Sequence, residues 1–295
     1  MLRTTTALKG HNMGEIIGAG LLAHAPTIMM SKEERYALNE GREISLVPGL
    51  HRVRDEILDR LKPDTIILFD SHWFTTVEFC VSGHAHRKGL YTSDELPRGM
   101  RQVPYDLKGN PALSLAMAQR ATEAGVRTNA IDDPYLPVHY PTINIAHFLN
   151  RGEEWISVGC AQTGETDDFL RVGQGIGKAI AESDRRVVLI ASGSMSHRFW
   201  PLSQIEAHEA SNPIHISRPE AREADYERLA WFAEGNHAAV IDTMPEFLRH
   251  VPEARFGHYL MMAGAMGGRD WTGKGTRYSD YENATGTSQV HVWFN

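Results

Sequence analysis

Short hydrophobic segments alternate with amphipathic segments along most of the chain. The clearest strand candidates are EIIGAGLLA (15–23), TIILFD (65–70), EWISVGC (154–160) and RRVVLIASGS (185–194). Apolar residues recur at helical spacing at 48–61, 110–125, 167–183 and 219–235. Strands with little polar alternation are typical of a sheet that is covered on both faces. The alternation therefore predicts an α/β fold, with helices on both sides of a mainly parallel or mixed central sheet.

The length and charge of the chain narrow its organisation and its partners. A chain of 295 residues can bury a large core without disulfides or a structural metal. We find no internal repeat or linker, which favours a polar leader over 1–13 and a single domain over 14–295. The net charge of -7 argues against a nucleic-acid partner, because such proteins carry a basic surface.

The cysteine content and the N-terminus bear on the compartment. Cys80 and Cys160 are the only two cysteines, too few for a disulfide framework or a cysteine-rich zinc site. The polar N-terminus lacks the apolar run of a secretory signal, and no segment is apolar enough to span a bilayer. These observations predict a cytoplasmic protein without a membrane partner.

Histidines follow three of the hydrophobic strands. His24 comes after the first strand, His72 after TIILFD, and His197 a few residues beyond RRVVLIASGS. Ligands of α/β proteins bind at the carboxyl ends of the strands, so these side chains can converge although they are distant in sequence. A single histidine in such a place is more often structural, but three equivalent ones make a shared site an equal alternative.

Two imidazoles and one carboxylate form the facial triad that holds Fe(II) and leaves coordination positions open. A zinc hydrolase on an α/β scaffold is an alternative, although the chain has no HExxH or CxxC pattern. The residues alone leave the choice open and do not identify the carboxylate.

Several motifs occur together in an order that resembles a known family. They are HAPT, TIILFDSHWF, GLYTSDELPRGM, YDLKGNP, ASGSMSHRF and ATGTSQVHVWF. Together they are similar to the class III (type II) extradiol ring-cleavage dioxygenases of the LigB superfamily, nearest the 3,4-dihydroxyphenylacetate 2,3-dioxygenase branch. The resemblance covers about residues 14–294. It implies a single three-layer α/β/α domain of the LigB type.

The resemblance also implies a ligand set for Fe(II), the only cofactor expected. The family's two iron histidines fall on His24 and His72. Its carboxylate ligand falls in MPEFLRHVPEARFGHY, where Glu246 and Glu253 compete. We choose Glu253, because the family's ligand lies just before a helix that resembles the apolar LMMAGAM stretch.

Further active-site residues follow from the same resemblance. The family's acid–base histidine falls on His197 and its second catalytic histidine on His139, which is flanked by Val138 and Tyr140 instead of the Asp-His-Gly stretch of some members. This departure makes loop packing an alternative role for His139. The substrate-binding candidates are Tyr140, Ser194 and His258.

The implied activity is extradiol cleavage of a catechol by O2, giving a 2-hydroxymuconic-semialdehyde-type product in aromatic catabolism. The same chemistry on an aminophenol, a protocatechuate- or gallate-like acid or a lignin-derived biaryl catechol is an alternative, and a non-oxygenase metal-binding protein is another.

The family resemblance also implies a homodimer or larger homo-oligomer. An acidic substrate would need an arginine; Arg98, Arg101 and Arg198 are candidates, each more simply explained as a surface ion-pair partner.

Overall fold

The computed structural model of the protein describes residues 13–295. The predicted leader 1–13 lies outside the described residues except for Met13, which is exposed. The division into a leader and one catalytic domain therefore stays a prediction.

Twelve strands and ten α-helices make up the described chain. The strands are β1 (Glu15–Leu22), β2 (Thr65–Thr75), β3 (Phe79–Ser82), β4 (His86–Tyr91), β5 (Val103–Lys108), β6 (Thr128–Ile131), β7 (Glu154–Ala161), β8 (Arg186–Ser192), β9 (Gly275–Arg277), β10 (Glu282–Ala284), β11 (Thr287–Gln289) and β12 (His291–Phe294). The α-helices are α1 (Lys32–Leu38), α2 (Leu46–Arg52), α3 (Asp59–Leu61), α4 (Pro111–Glu123), α5 (Tyr140–Leu149), α6 (Thr166–Ala181), α7 (Pro219–Glu234), α8 (His237–Asp242), α9 (Met244–Phe247) and α10 (Gly257–Ala265).

Shorter helical turns complete the chain. A π-helical segment, Val53–Leu58, joins α2 to α3, so the predicted helix 48–61 is one continuous helical stretch with a wider middle. The 3₁₀ turns are Pro26–Met29, Leu202–His208, Pro213–His215, Leu248–His250, Glu253–Phe256 and Gly268–Asp270.

Ten strands form one mixed sheet. Its main path runs β4-β5-β7-β2-β8-β1-β12-β9, while β3 pairs with β6 and β7. The four central strands β7, β2, β8 and β1 are parallel, and β12, β9 and β4 add antiparallel edges. The prediction of an α/β fold with a mixed central sheet is confirmed. Near the C-terminus, β11 pairs with β10 in a separate two-stranded sheet, and β12 joins the main sheet beside β1.

The hydrophobicity of β2 follows from its place in the middle of this sheet. Ile67 and Phe69 pack into a core that includes residues of α4, α6 and α10. Their neighbours Ile66 and Leu68 pack into a second core that includes residues of α2 and α5. Both faces of the strand are therefore buried, and each such side chain contributes about 1.5–3 kcal/mol of transfer free energy.

Close helix packing fixes the position of α10. A Cβ on Gly173 of α6 would lie 2.1 Å from the carbonyl oxygen of Met261 in α10, so only glycine allows this approach. Helix α6 also contacts α4, because a Cβ on Gly175 of α6 would lie 2.5 Å from the backbone nitrogen of Ala121 in α4.

No helix among residues 13–295 is both long and apolar enough to cross a bilayer.

Candidate active site

His24 lies two residues beyond the end of β1, at the carboxyl edge of the parallel strands. The backbone N–H of Ala23 donates to Nδ1 of the buried His291 over 3.1 Å, and Asn144 Nδ2 donates to the carbonyl oxygen of His24 over 2.7 Å. The Nδ1 atom of His24 lies 3.0 Å from Ser192 Oγ at the end of β8. These contacts fix the ring and direct Nε2 toward Glu253.

His72 is carried by a bulge within β2. Pairing with β7 jumps from Asp70 opposite Gly159 to Phe74 opposite Cys160, so three residues of β2 are left unpaired on this side. The predicted strand end at residue 70 is therefore wrong, because β2 continues to Thr75. A bulge of this kind bends a strand and redirects its side chains, as often happens beside active sites.

The carboxylate of Asp70 stabilises this bulge. Its Oδ1 accepts hydrogen bonds from the backbone N–H groups of His72, over 3.0 Å, and Trp73, over 3.1 Å. Its Oδ2 accepts one from Thr142 Oγ1 over 2.7 Å. Asp70 therefore supports the loop that presents His72 and is itself no candidate ligand.

Glu253 is fully enclosed by donors from other parts of the chain. Its backbone N–H donates to the carbonyl oxygen of Met195 over 3.1 Å. Its Oε2 accepts from the backbone N–H of Ser194 over 2.5 Å, and its Oε1 accepts from the hydroxyl of Ser71. These donors hold one orientation of the carboxylate and leave Oε1 directed toward the two histidines.

A left-handed turn follows Glu253 and leads into α10. Ala254, Arg255 and Phe256 have φ angles of 46°, 57° and 63°. Residues other than glycine rarely adopt this conformation, which costs about 1–2 kcal/mol each. The burial of Phe256 and a 3.0 Å hydrogen bond from Arg255 Nε to the carbonyl oxygen of Gly164 hold the turn in place.

The three side chains converge. Ligand atoms of His24, His72 and Glu253 all lie within 4.8 Å of one another, and Oε1 of Glu253 lies 3.3 Å from Nε2 of His24 and 3.0 Å from Nε2 of His72. Adjacent ligands of an octahedral first-row metal, at about 2.1 Å from the ion, are separated by about 3 Å. The donor set and its spacing fit a facial triad. The rejected candidate Glu246 is exposed on α9.

The charges in this cluster suit a cation. Burial alone would raise the pKa of Glu253, but the nearby imidazoles of His24 and His197 and the hydrogen bonds from His24 and His72 hold it well below its usual value. Burial lowers the pKa of His72, yet the carboxylates of Glu253 and Glu95 outweigh this and raise it. Metal binding at the cluster would displace a proton from the imidazole.

His197 lies beside the cluster and, together with His24, lines a cavity there. Its Nε2 atom is 3.9 Å from Oε2 of Glu253, and its backbone N–H donates to the carbonyl oxygen of Val251 over 3.0 Å. The preceding Ser196 is held by the buried Asp225, which accepts from its backbone N–H over 3.1 Å and from its hydroxyl over 2.5 Å. Burial lowers the pKa of His197, with Glu253 opposing, so the imidazole is neutral near pH 7 and can accept a proton.

The structure separates His139 from Tyr140. His139 precedes α5, is absent from the lining of the cavity, and stacks on Trp73 with ring centroids 5.8 Å apart. Tyr140, the first residue of α5, lines the cavity and places its hydroxyl 2.7 Å from Nε2 of His72. Burial and the carboxylates of Glu253, Glu95 and Asp70 raise the pKa of Tyr140, which keeps its hydroxyl protonated.

The other two substrate-binding candidates also differ in position. Ser194 lines the cavity, and its N–H contacts Glu253. His258 is fully buried outside the cavity lining, where its ring packs on Gly193 and neither ring nitrogen has a hydrogen-bond partner among the described residues. Sequence position alone therefore overstated the access of His258 to a substrate.

One contact of the candidate site has little signal in the sequence. Glu95, in the loop between β4 and β5, places Oε1 3.2 Å from Nδ1 of His72. The hydrogen bond from His72 lowers the pKa of Glu95 against the effect of burial. A carboxylate on the second nitrogen of a metal-binding histidine fixes its tautomer and orientation. The only signal was the composition of the DELPRG segment, typical of a functional loop.

The chain matches a family model along nearly its whole length. The model describes the catalytic LigB subunit of aromatic ring-opening dioxygenase and matches residues 18–294. A 3,4-dihydroxyphenylacetate 2,3-dioxygenase of Escherichia coli is 29% identical over 266 residues, covering 89% of this chain and 94% of that protein. The beta subunit of a 2-aminophenol 1,6-dioxygenase of Pseudomonas sp. is 25% identical over 267 residues, covering 86% of each.

A solved structure shares the fold at lower sequence identity. The crystal structure of an uncharacterized protein from Escherichia coli K12 is 16% identical, has a TM-score of 0.59, and aligns over 94% of this chain and 99% of that one. The likeness supports the α/β architecture described above.

Proposed function

The chain belongs to the LigB family of aromatic ring-opening dioxygenases, and we propose that it is a non-haem Fe(II)-dependent extradiol dioxygenase. Its substrate is a catechol, and its product is of the 2-hydroxymuconic-semialdehyde type. The observation that carries the proposal is the convergence of Nε2 of His24, Nε2 of His72 and Oε1 of Glu253 beside a cavity that His24 and His197 line.

His24, His72 and Glu253 are the proposed ligands of the iron. Bound Fe(II) supplies a Lewis acid for the catechol oxygens and a redox centre for O2, and a facial triad keeps positions free for both. Oε1 of Glu253 is the proposed donor atom, because it lies 3.3 Å from Nε2 of His24 and 3.0 Å from Nε2 of His72, while Oε2 accepts from the N–H of Ser194. Ser71, Ser192 and Glu95 hold the three ligands in orientation.

His197 is the proposed acid–base residue. Its neutral imidazole accepts the phenolic proton of the catechol at a ring nitrogen and returns that proton later in the reaction. A neighbouring carboxylate, that of Glu253 at 3.9 Å, stabilises the imidazolium form in between.

Tyr140 is the proposed second polar group over the substrate. The structure gives no comparable position to His139, whose ring stacks on Trp73 outside the cavity lining. The protonated Tyr140 hydroxyl, 2.7 Å from Nε2 of His72, can donate a hydrogen bond to an oxygen bound beside this histidine. We therefore expect Tyr140→Phe to reduce turnover more than His139→Asn does.

Anaerobic reconstitution with Fe(II) tests the activity. The loaded protein should bind one iron per chain and consume O2 with a catechol, while a yellow ring-cleaved product accumulates. Glu253→Gln should lose both iron and O2 uptake, whereas the matched variant Glu246→Gln should keep both. Activity with zinc and none with iron would instead support a hydrolase.

A 2-aminophenol is a second substrate candidate. The relative named 2-aminophenol 1,6-dioxygenase beta subunit covers 86% of this chain, and an aminophenol presents the same pair of adjacent donors to a metal. Comparing O2 uptake with catechol and 2-aminophenol under identical iron loading separates the two.

The assembly and compartment are part of the proposal. The two cysteines, Cys80 and Cys160, are buried and free, which suits a reducing cytoplasm. A homo-oligomer would cover some of the exposed apolar side chains, such as Phe199 and Leu202. Light scattering of the purified protein measures the assembly directly.

A further inference from the structure

The cavity above the proposed iron site continues into an apolar chamber. The whole cavity has a volume of about 320 Å³. This volume is in the range of pockets that bind small organic ligands, and it exceeds that of one unsubstituted ring. Away from the metal cluster it is lined by Met30, Leu38, Leu96, Phe199 and Ile205. A ring bound at the iron would therefore direct a substituent against these side chains.

Each charged side chain of this chamber already has a partner. Arg98 is the one arginine or lysine among the described residues that line the cavity, and its Nη2 lies 2.5 Å from Oε1 of Glu209. The other acidic residue of the lining, Glu95, pairs with His72 over 3.2 Å. The other two arginines considered from the sequence, Arg101 and Arg198, are exposed and do not line the cavity.

The arrangement penalises an anionic substituent. A carboxylate in the chamber would lose water and meet two carboxylates, while Arg98 would have to leave Glu209 to compensate it. Unpaired charges in a partly enclosed apolar site are costly, and selectivity is often built on such repulsion. A cationic substituent finds no free carboxylate either, because Glu95 and Glu209 are both engaged.

We propose that this enzyme selects catechols, or o-aminophenols, that carry an uncharged apolar substituent, and that the Arg98–Glu209 pair sets this selectivity. The inference rests on the proposed function and identifies the substrate class of that site. It distinguishes this chain from its relative named 3,4-dihydroxyphenylacetate 2,3-dioxygenase, whose named substrate carries a carboxylate.

A charge-matched substrate series tests the inference. With the iron-loaded enzyme, kcat/KM is measured for 4-ethylcatechol (uncharged), 3,4-dihydroxyphenylacetate (anionic) and dopamine (cationic). We expect the uncharged compound to exceed both charged ones by at least about 5-fold, the effect of roughly 1 kcal/mol. A wild-type preference for the anionic or the cationic compound would overturn the inference and leave the ring-cleavage function intact.

Two variants test the role of the ion pair. Glu209→Gln frees the guanidinium of Arg98, and should raise the ratio of kcat/KM for 3,4-dihydroxyphenylacetate to that for 4-ethylcatechol by about 5-fold. The double variant Glu209→Gln/Arg98→Gln should return the ratio to the wild-type value. An unchanged ratio in Glu209→Gln would contradict the role of Arg98. A ratio that rises in Glu209→Gln and stays raised in the double variant would also contradict it.

A binding measurement separates this inference from the proposed function. Anaerobic calorimetry with the iron-loaded protein reports affinity for the three compounds without turnover. If no compound reacts but 4-ethylcatechol binds most tightly, ring cleavage fails as the function and the selectivity stands. If no compound binds, both are wrong.

Discussion

Two buried clusters in this protein are built around histidine, and their histidines have different kinds of partner. In the first, His24 and His72 direct ring nitrogens at one carboxylate oxygen of Glu253, with separations of 3.3 Å and 3.0 Å. In the second, His237 has both nitrogens satisfied: the Tyr259 hydroxyl donates to Nδ1 and the Gly273 carbonyl accepts from Nε2, each over 2.7 Å. Trp271 stacks on this ring with centroids 3.6 Å apart.

Burial alone does not separate the two clusters, because His24 and His237 are both buried. The partners do. Acidic neighbours raise the pKa of His72 although its burial opposes this, whereas burial lowers the pKa of His237 to about 4 and no carboxylate compensates. The first cluster gathers nitrogen and oxygen lone pairs that a cation can share. The second is a closed hydrogen-bonded unit with nothing left to bind.

Removing one imidazole from each cluster gives the largest contrast. His72→Ala should weaken Fe(II) binding by more than about 100-fold, because even outer partners of a metal ligand contribute 10- to 100-fold. His237→Ala should leave the iron stoichiometry of the folded protein unchanged. Anaerobic competition with a chelator measures both. Equal iron affinities in the two variants would contradict the assignment of the ligands.

The stability of the second cluster gives the next effect. His237→Ala opens a cavity under Trp271 and leaves the Tyr259 hydroxyl and the Gly273 carbonyl without their partner. We expect a loss of about 3–5 kcal/mol in the free energy of unfolding, measured by urea denaturation of the metal-free protein. A loss below about 1 kcal/mol would mean that this histidine is not structural.

Acid should also destabilise the second cluster. The pKa of His237 is about 4 in the folded protein against the ordinary value of 6.5, so the folded state holds its proton less tightly than the unfolded state. The contribution of neutral His237 to the free energy of unfolding is therefore complete above about pH 6.5. It is lost as the pH falls toward 4, and the loss amounts to at most about 3 kcal/mol.

The comparison of wild type with His237→Phe isolates the contribution of His237 to the pH dependence of stability. Burial lowers the pKa values of His258 and His291 in a similar way. Burial raises the pKa of Asp225 to about 6, so this group has the opposite effect on stability as the pH falls. These groups are common to both proteins and cancel in the difference. The gap in unfolding free energy between the two should narrow from pH 7 to pH 4; a constant gap would contradict the shift.

The sequence was sufficient for the architecture and for part of the site. Strand and helix periodicity predicted the layered α/β fold, because β2 and its neighbours are covered on both faces and their hydrophobicity shows it. The resemblance to the LigB superfamily supplied His24, His72 and Glu253, and the structure brings these three together.

Other parts of the site depend on features without a sequence signal. The bulge that carries His72 arises from register, and the left-handed turn after Glu253 uses Ala254 and two further residues that are not glycine. The start of α5 directs Tyr140 into the cavity and its neighbour His139 onto Trp73. A one-residue difference of this kind is decided by tertiary packing and is invisible to local pattern.

Ser192, next to His24 in the first cluster, should give the weakest of these effects. Its hydroxyl lies 3.0 Å from Nδ1 of His24 and is the contact that fixes this ring while Nε2 faces Glu253. Ser192→Ala removes the contact without changing the proposed ligands, so Fe(II) affinity should fall by about 10-fold and the fold should persist. Ser114→Ala is the matched control, because this serine is equally buried and its single side-chain hydrogen bond, 2.7 Å to the Ser82 carbonyl, lies outside the cluster. Similar iron affinities in the two variants would show that the orientation of His24 is set by its backbone contacts alone.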